Sequence, residues 1–272
     1  MNENVKKNEE YLKTGLHFMG FTPDLYPALE KSIKEGKPEF TLNEPRQFNN
    51  KAFNYSLHYG PSKDPRYPYE WTGYDISLKD NPQHKIHVKV DNNRGITAKE
   101  AANLLSGLAV GKTNRVAGTE RETWTILDFS KKDDIGNFLM KNFGVNYGFD
   151  INAAVKELTP YINDGKGLSG NDLVDLRKGN LPDITYTENG KTESAFLVAN
   201  PEKREICVYN DSGKLLKSVQ GISAQQQERA ERMARAPKKA DFIQNNLLNK
   251  IPRNTAPALA EMGEETKKSR RR

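Results

Sequence analysis

The first clear pattern of apolar positions in the chain is helical. Leu25, Leu29 and Ile33 recur every four residues behind Pro23, a residue that suits the first turn of a helix. Gly36 follows at the point where such a helix would end. We therefore predict an amphipathic helix between Pro23 and Gly36.

The next stretch of the chain alternates instead. Over residues 53–59 apolar and polar side chains take turns, which is typical of a strand with one buried face. The same alternation covers residues 72–78 and 86–90. The sequence therefore predicts a β region between residues 39 and 90.

Three further helices are predicted after this region. Thr97 and Glu100 stand at the start of an apolar stripe with the spacing of a capping box, in which each side chain satisfies a free backbone N–H. Apolar residues spaced by three or four also cover residues 135–143 and 151–158, and we predict a helix over each. A strand is predicted at residues 123–129.

A glycine-rich linker at residues 164–167 precedes a smaller set of elements. Ser169 can cap a short helix, and strand-like runs joined by turn sequences follow over residues 184–209. A helix followed by an antiparallel meander is an α+β arrangement rather than a β-α-β one. The predicted fold class is therefore α+β, with antiparallel sheet segments and packed helices in two units.

The predicted domain division follows from these patterns and from the charge. Residues 1–22 form a polar leader, residues 23–163 a larger α+β unit, and residues 168–222 a smaller helix-plus-meander unit. Residues 223–272 hold 12 Lys and Arg against 6 Asp and Glu, whereas the preceding residues hold 30 of each. Only 6 of those last 50 residues are Leu, Ile, Val or Phe, too few to offset the entropy cost of ordering the segment. We predict a basic, largely disordered tail.

This tail is the first candidate binding segment. Five of its last six residues are cations. Contact with five phosphates would make nucleic-acid affinity fall with salt at a logarithmic slope of about −4 to −5, without preference for DNA or RNA. A basic terminus also aids solubility, so that explanation stays open. The candidate nucleic-acid contacts are Lys238, Lys239, Lys267, Lys268, Arg270, Arg271 and Arg272.

A proline-punctuated loop is the second candidate. It mixes a cation with aromatic residues, namely Arg66, Tyr67, Tyr69 and Trp71. Such a loop can stack nucleic-acid bases or anchor a protein partner. In the alternative interpretation the aromatic rings pack beneath the loop, and the neutral charge of residues 1–222 favours this over base stacking.

No catalytic, metal or cofactor site is predicted. Residues 107–113 resemble a phosphate-binding P-loop, but three residues separate the glycines where four are needed. His84 and His87 are three apart in a strand-like run, which places them on opposite faces, and His17 and His58 are isolated in sequence. We therefore expect a non-enzymatic protein without a cofactor.

The cysteine content bears on the compartment. Cys207 is the only cysteine, so no intrachain disulfide can form and a reducing compartment is expected. Its strand-like surroundings predict a packed side chain rather than a nucleophile. No apolar run has the length of a membrane span. We predict a soluble cytoplasmic protein that does not bind a membrane.

Four stretches together resemble a known group of proteins. They are residues 32–42 (SIKEGKPEFTL), 95–107 (GITAKEAANLLSG), 146–150 (NYGFD) and 176–181 (LRKGNL). Over residues 25–220 the chain resembles uncharacterised proteins carried on mobile and conjugative elements of Bacteroides-type bacteria. The resemblance implies a cytoplasmic accessory protein associated with DNA mobility or maintenance, and it assigns no functional residue.

Two functional hypotheses follow. The first is a non-enzymatic accessory or adaptor protein of a mobile element, whose basic tail makes sequence-independent contact with nucleic acid. The second is a protein–protein interaction module that binds a host or element-encoded factor through the aromatic loop. An enzyme with dispersed site residues is a third alternative, which only the tertiary structure can address. The oligomeric state does not follow from the sequence.

Overall fold

The computed structural model describes residues 3–116 and 119–222, and the side chains of residues 114–120 lie outside this description. The described residues belong to one compact unit, Met1–Ser223. They contain five α-helices and eleven strands, which form three antiparallel sheets. The predicted α+β class is therefore confirmed. The tail predicted for residues 223–272, with its seven candidate cations, lies outside the described residues.

Four consecutive strands form the first sheet, in their order along the chain. They are β1 (Phe40–Phe48), β2 (Lys51–Pro61), β3 (Tyr69–Leu78) and β4 (Lys85–Lys89). The alternation predicted from the sequence decides their faces. In β2, Phe53, Tyr55 and Leu57 are buried, while the residues between them are partly or fully exposed. One face of this sheet therefore belongs to the core, and the opposite face is polar.

Two helices at the start of the chain pack on the core face of this sheet. They are α1 (Glu3–Phe18) and α2 (Tyr26–Lys34). The segment predicted as a polar leader contains α1, which buries Leu12 and Leu16 in the first core. The Asn8 side chain holds α1 to β3, because it donates to Tyr69 O at 3.0 Å and accepts from Tyr69 N–H at 2.8 Å. Within the described ranges, no helix has the length and apolar content needed to cross a membrane.

A third helix, α3 (Ala98–Leu105), follows the first sheet. It begins at the predicted capping box, in which Thr97 N–H donates to the Glu100 carboxylate at 2.8 Å. The same carboxylate pairs with Lys112 Nζ at 2.5 Å. Lys112, the lysine of the P-loop-like stretch, therefore forms an ion pair at the start of α3.

The second sheet corrects one prediction. Its strands are β5 (Val110–Val116), β6 (Thr119–Lys132) and β7 (Phe138–Phe143), in that order. The helix predicted over residues 135–143 is wrong, because residues 138–143 form β7 and pair with β6. Phe138 and Met140 pack against the core while Leu139 is exposed, which is a strand period. Gly136, with a φ of 84°, reverses the chain between β6 and β7.

The last part of the described chain contains the predicted meander. Its elements are α4 (Ile151–Leu158), α5 (Gly170–Arg177), β8 (Asp183–Glu188), β9 (Lys191–Asn200), β10 (Glu205–Asn210) and β11 (Leu215–Gln220). The strands lie in the order β11-β10-β9-β8, and each pairs with its neighbours in the chain. Asp150 caps α4 by accepting the N–H groups of Asn152 and Ala153.

The buried apolar residues form two clusters. The first lies among α1, α2, α3 and the first sheet, and the second lies among α4, α5, the meander and part of β6. Asn103 of α3 joins the two regions, because its buried side-chain amide donates to Lys178 O at 2.9 Å and to Asn180 Oδ1 at 3.1 Å. The boundaries predicted at residues 23–163 and 168–222 stay predictions.

Candidate functional site

Three polar side chains from neighbouring strands meet on the polar face of the first sheet. They are His58 of β2, Asp75 of β3 and His87 of β4. The register brings them together, because Asp75 pairs with His87 while His58 pairs with Gly73, two residues before Asp75. We refer to His58, Asp75 and His87 as the histidine cluster.

Asp75 lies between the two imidazoles. Its Oδ2 is 2.8 Å from His58 Nε2, and its Oδ1 is 2.7 Å from His87 Nδ1. The other nitrogen of His58, Nδ1, is 3.3 Å from Thr41 Oγ1, which orients the ring. The three side chains are between 34% and 43% exposed, so a small solute can reach them from solvent.

A strand glycine makes room for the cluster. A Cβ atom at Gly73 would lie 3.0 Å from the Cε1 and Nε2 atoms of His87 and 2.7 Å from Val88 O. Any larger residue at this position would therefore require the Val88 carbonyl and the His87 ring to move. Glycine weakens the interior of a strand. In β3, the absence of a side chain at Gly73 leaves space for the imidazole of His87 from the neighbouring strand β4.

A groove of about 750 Å³ lies beside the cluster, between strand β4 at the edge of the first sheet and strand β7 at the edge of the second. His87 belongs to both sites, because it also lines this groove. Ile96, Phe138 and Met140 contribute apolar surface to the groove and pack against the first core cluster. We refer to this site as the β4–β7 groove.

The charged residues that line the groove are mainly basic. They are Lys89, Arg94 and Lys112, with Asp133 the single acid among the described lining residues. Lys112 is paired with Glu100, and Asp133 accepts the backbone N–H of Asn137 at 2.8 Å. Lys89 and Arg94 are exposed, and neither forms an ion pair with a residue in the described part of the chain. Among the described residues, the groove therefore presents two positive charges that have no ion-pair partner.

Strand β4 also directs backbone groups into the groove. Val90 N–H donates to Thr72 O, and Leu78 N–H donates to His84 O. In an antiparallel ladder, every second residue exchanges hydrogen bonds with the partner strand, and those between point away. Residues 85, 87 and 89 therefore direct their N–H and C=O groups away from β3, and no described strand pairs with this edge.

The loop predicted to bind a partner connects β2 and β3. Arg66 is paired with Asp64, with 2.7 Å between Nη2 and Oδ2. Tyr67 is 36% exposed and packs against Tyr11 of α1, with ring centroids 5.3 Å apart. Arg66 and Tyr67 therefore lie at the surface, where each already has a partner within the chain.

Two further residues of the predicted interaction loop contact the interior. Trp71 is 3% exposed, and its Nε1–H donates to Gly73 O at 2.9 Å. Its ring belongs to the first core cluster and is not presented to a partner, as in the alternative interpretation of this loop. Tyr69 is partly buried and packs edge-on against Phe40. Trp71 is buried because side chains alternate between the two faces of β3, and position 71 lies on the core face.

A cavity of about 500 Å³ lies beside this loop. Its lining includes the carboxylates of Asp64, Glu70 and Asp91, and no Lys or Arg is among the described residues that form it. Carboxylates repel phosphate, so this cavity does not favour nucleic acid. The β4–β7 groove is the more basic of the two sites.

Cys207 is a packed strand residue. It lies in β10 with 5% of its surface exposed, and its Sγ is 3.7 Å from Glu205 Oε1. Burial, with the Glu205 carboxylate beside it, raises the pKa of the Cys207 thiol to about 11. The thiolate, which is the reactive form, is therefore scarce at neutral pH.

Comparison with protein-family models, with curated proteins and with solved structures finds no match. The resemblance to proteins of mobile elements therefore stays a prediction.

The histidine cluster was missed by sequence reasoning. Each of its members occupies a polar position of an alternating run, at residues 58, 75 and 87. That alternation shows that all three face solvent, but it leaves their spacing across the sheet undetermined. A correct register for β2, β3 and β4 was the missing information.

Proposed function

We propose that the protein is a non-enzymatic adaptor that binds an extended, acidic segment of a protein partner in the β4–β7 groove. The observation that carries this proposal is the backbone edge of β4, which no described strand pairs with, inside a groove that has apolar and basic walls. An extended peptide gains main-chain hydrogen bonds from such an edge and selectivity from the side chains beside it. The single cysteine favours a reducing, cytoplasmic setting.

The length of strand β4 suits one short added strand. Strand β4 is five residues long, and residues 85, 87 and 89 direct N–H and C=O groups outward. An exposed strand edge is a template for pairing with another chain unless it is protected. Lys85 and Lys89 at its ends discourage pairing with a neutral or basic strand and favour an acidic one.

Charge also argues against the chain's own tail as the occupant. Residues 223–272 carry 12 cations against 6 anions, and the groove presents Lys89 and Arg94 without ion-pair partners among the described residues. A basic segment bound in the groove would be repelled by these two positive charges. A partner segment rich in Asp or Glu fits the groove better.

The test is a selection of displayed random peptides on the full-length protein, followed by titration of a selected peptide. We expect enrichment of acidic residues in the selected peptides. We expect Lys89→Pro to weaken binding about 10-fold more than Lys89→Ala, because proline removes an N–H that faces the groove while both changes remove the charge. Arg94→Glu should weaken binding further by charge repulsion.

The matched control is Lys51→Glu, which changes an exposed lysine of the same sheet outside the groove. This variant should bind the peptide as the wild type does. A selection that yields only peptides insensitive to residues 89 and 94 would show that the groove is not the binding site.

The charge separation favours a second function, nucleic-acid contact through the tail. We propose that Lys267, Lys268 and Arg270 to Arg272 contact phosphates. Lys238 and Lys239 add to the positive electrostatic field that attracts the nucleic acid. The measurement is fluorescence anisotropy of labelled single- and double-stranded DNA and RNA at 50 and 150 mM salt. Five phosphate contacts should make affinity fall by roughly 100-fold between these conditions.

The comparison variant replaces the last five cations with Gln in the full chain. It should lose most of the affinity and most of the salt dependence. Five Lys→Gln changes on the folded unit serve as the charge-matched control and should leave binding in place. Equal affinity of the tail variant and the wild type would exclude the tail as the contact.

A further inference from the structure

We infer that His58, Asp75 and His87 form a binding site for one divalent transition-metal ion of the class of Zn²⁺, Co²⁺ or Ni²⁺. This inference does not rest on the adaptor proposal, since its evidence is the three donor side chains and not the backbone edge of β4, although His87 also lines the groove. It has three supports, namely the chemistry of the donors, their separation and the surroundings that hold them.

The donor set selects the class of ion. Two imidazoles and one carboxylate suit borderline divalent ions, whereas Mg²⁺ and Ca²⁺ prefer oxygen ligands alone. Three protein ligands leave at least one coordination position open for water or another ligand. The site therefore resembles the open class of metal centre rather than the closed, structural class.

The separation of the donors fits one ion. One ligand atom from each of His58, Asp75 and His87 lies within 4.8 Å of the other two. Ligands bound tetrahedrally at 2.0–2.1 Å lie about 3.3 Å apart. The contacts of the two imidazoles with Asp75, at 2.8 and 2.7 Å, are shorter than this and would open by about half an ångström. One metal ion would take the place of the imidazole protons that point at Asp75, and each proton would move to the other ring nitrogen or be released to solvent. Side-chain rotations accommodate a change of this size without movement of the strands.

The surroundings hold the donors in place. The three residues lie on adjacent, paired strands, and sites on such elements are more precisely positioned than sites on loops. His58 Nδ1 lies 3.3 Å from Thr41 Oγ1. When the proton is on Nδ1, this hydroxyl can accept it in a hydrogen bond, and Nε2 then has its lone pair for a metal. Gly73 leaves the space that the His87 ring needs beside Asp75.

Two lysines neighbour the cluster on the same face of β4. Lys89 is exposed, and the side chain of Lys85 reaches toward Gly136 in the β6–β7 turn. Their charge lowers the affinity for a cation but occupies none of the donor atoms. For this reason we expect Lys89→Ala to tighten metal binding slightly.

The test is titration of the full-length, metal-free protein with Co²⁺, followed by optical absorption, with Zn²⁺ as the competitor. We expect one equivalent to bind. We expect metal affinity to fall by roughly 100-fold or more in each of the variants His58→Gln, Asp75→Asn and His87→Gln. Loss of a residue that only hydrogen-bonds to a ligand lowers affinity by about 10- to 100-fold, and loss of the ligand itself should lower it further. The chain has four histidines, so His17→Gln and His84→Gln are matched controls that should bind as the wild type does.

A second measurement does not depend on the folding of a variant. In the wild type labelled with ¹⁵N-histidine, Zn²⁺ should shift the imidazole signals of His58 and His87 and leave those of His17 and His84 in place. Weak binding that is equal in all variants, or zinc-induced shifts at His17 or His84 instead, would overturn the proposal. The cluster would then be a hydrogen-bonded network of the sheet surface. Neither result bears on peptide binding in the β4–β7 groove.

Discussion

Replacing Tyr74 with alanine is expected to lower the free energy of unfolding by about 3–5 kcal/mol, the range for loss of a large buried aromatic side chain. Tyr74 has no exposed surface and lies in the first core cluster. Its ring packs against Phe21 at 5.3 Å and against Trp71 and Tyr55 at about 6 Å between centroids. Urea unfolding followed by circular dichroism measures the loss.

The matched variant Tyr74→Phe separates the hydroxyl from the ring. The Tyr74 hydroxyl donates to Ile96 O at 2.6 Å, and its removal leaves that partly buried carbonyl without this donor. We expect a loss of about 1–2 kcal/mol for Tyr74→Phe. Equal losses for the two variants would mean that the hydroxyl, and not the packing of the ring, holds β3 to the segment before α3.

Replacing Trp124 with alanine is expected to lower the free energy of unfolding by about 3–5 kcal/mol as well. Trp124 is 1% exposed, belongs to the second core cluster and packs edge-on against Phe149 at 5.1 Å. A Cβ atom at Gly111 would lie 2.9 Å from the indole, so the ring fills the space over that strand. Removal of the ring therefore leaves a cavity that a paired strand cannot close.

The two tryptophans of the chain provide the control for this prediction. Trp71 Nε1–H donates to Gly73 O at 2.9 Å, whereas Trp124 Nε1 has no hydrogen-bond partner among the described residues. Trp71→Phe should therefore cost about 1 kcal/mol more than Trp124→Phe, because only the first change breaks a buried hydrogen bond. A larger loss for Trp124→Phe would indicate that its N–H has a partner in solution.

Local signals predicted many of the elements. The capping box of Thr97 and Glu100 marks the start of α3, and the spacing of residues 25, 29 and 33 indicates α2. Each of these signals depends on residues within one or two turns, so the sequence alone contains it. The alternation in β2 is equally local.

Residues 135–143 show that a local pattern of apolar residues can predict the wrong element. Their apolar spacing fits one face of a helix, yet Ile135 is 71% exposed and residues 138–143 form β7. Pairing with β6 and the turn at Gly136 decided the outcome, because strand pairing outweighs weak local preference. Composition showed that the loop at residues 66–71 is aromatic, but only the strand faces showed that Trp71 is buried.

By itself, the sequence determined the α+β class, the packed position of Cys207 and the separation of charge between residues 1–222 and 223–272. These follow from composition and from short-range periodicity, which act within one element. Tertiary structure decided that His58, Asp75 and His87 share one site and that β4 and β7 enclose a groove. Neighbours across a sheet are set by register and by turns. A shift of one residue would carry every side chain of a strand to the other face, and no pattern within a single strand specifies that register relative to the next.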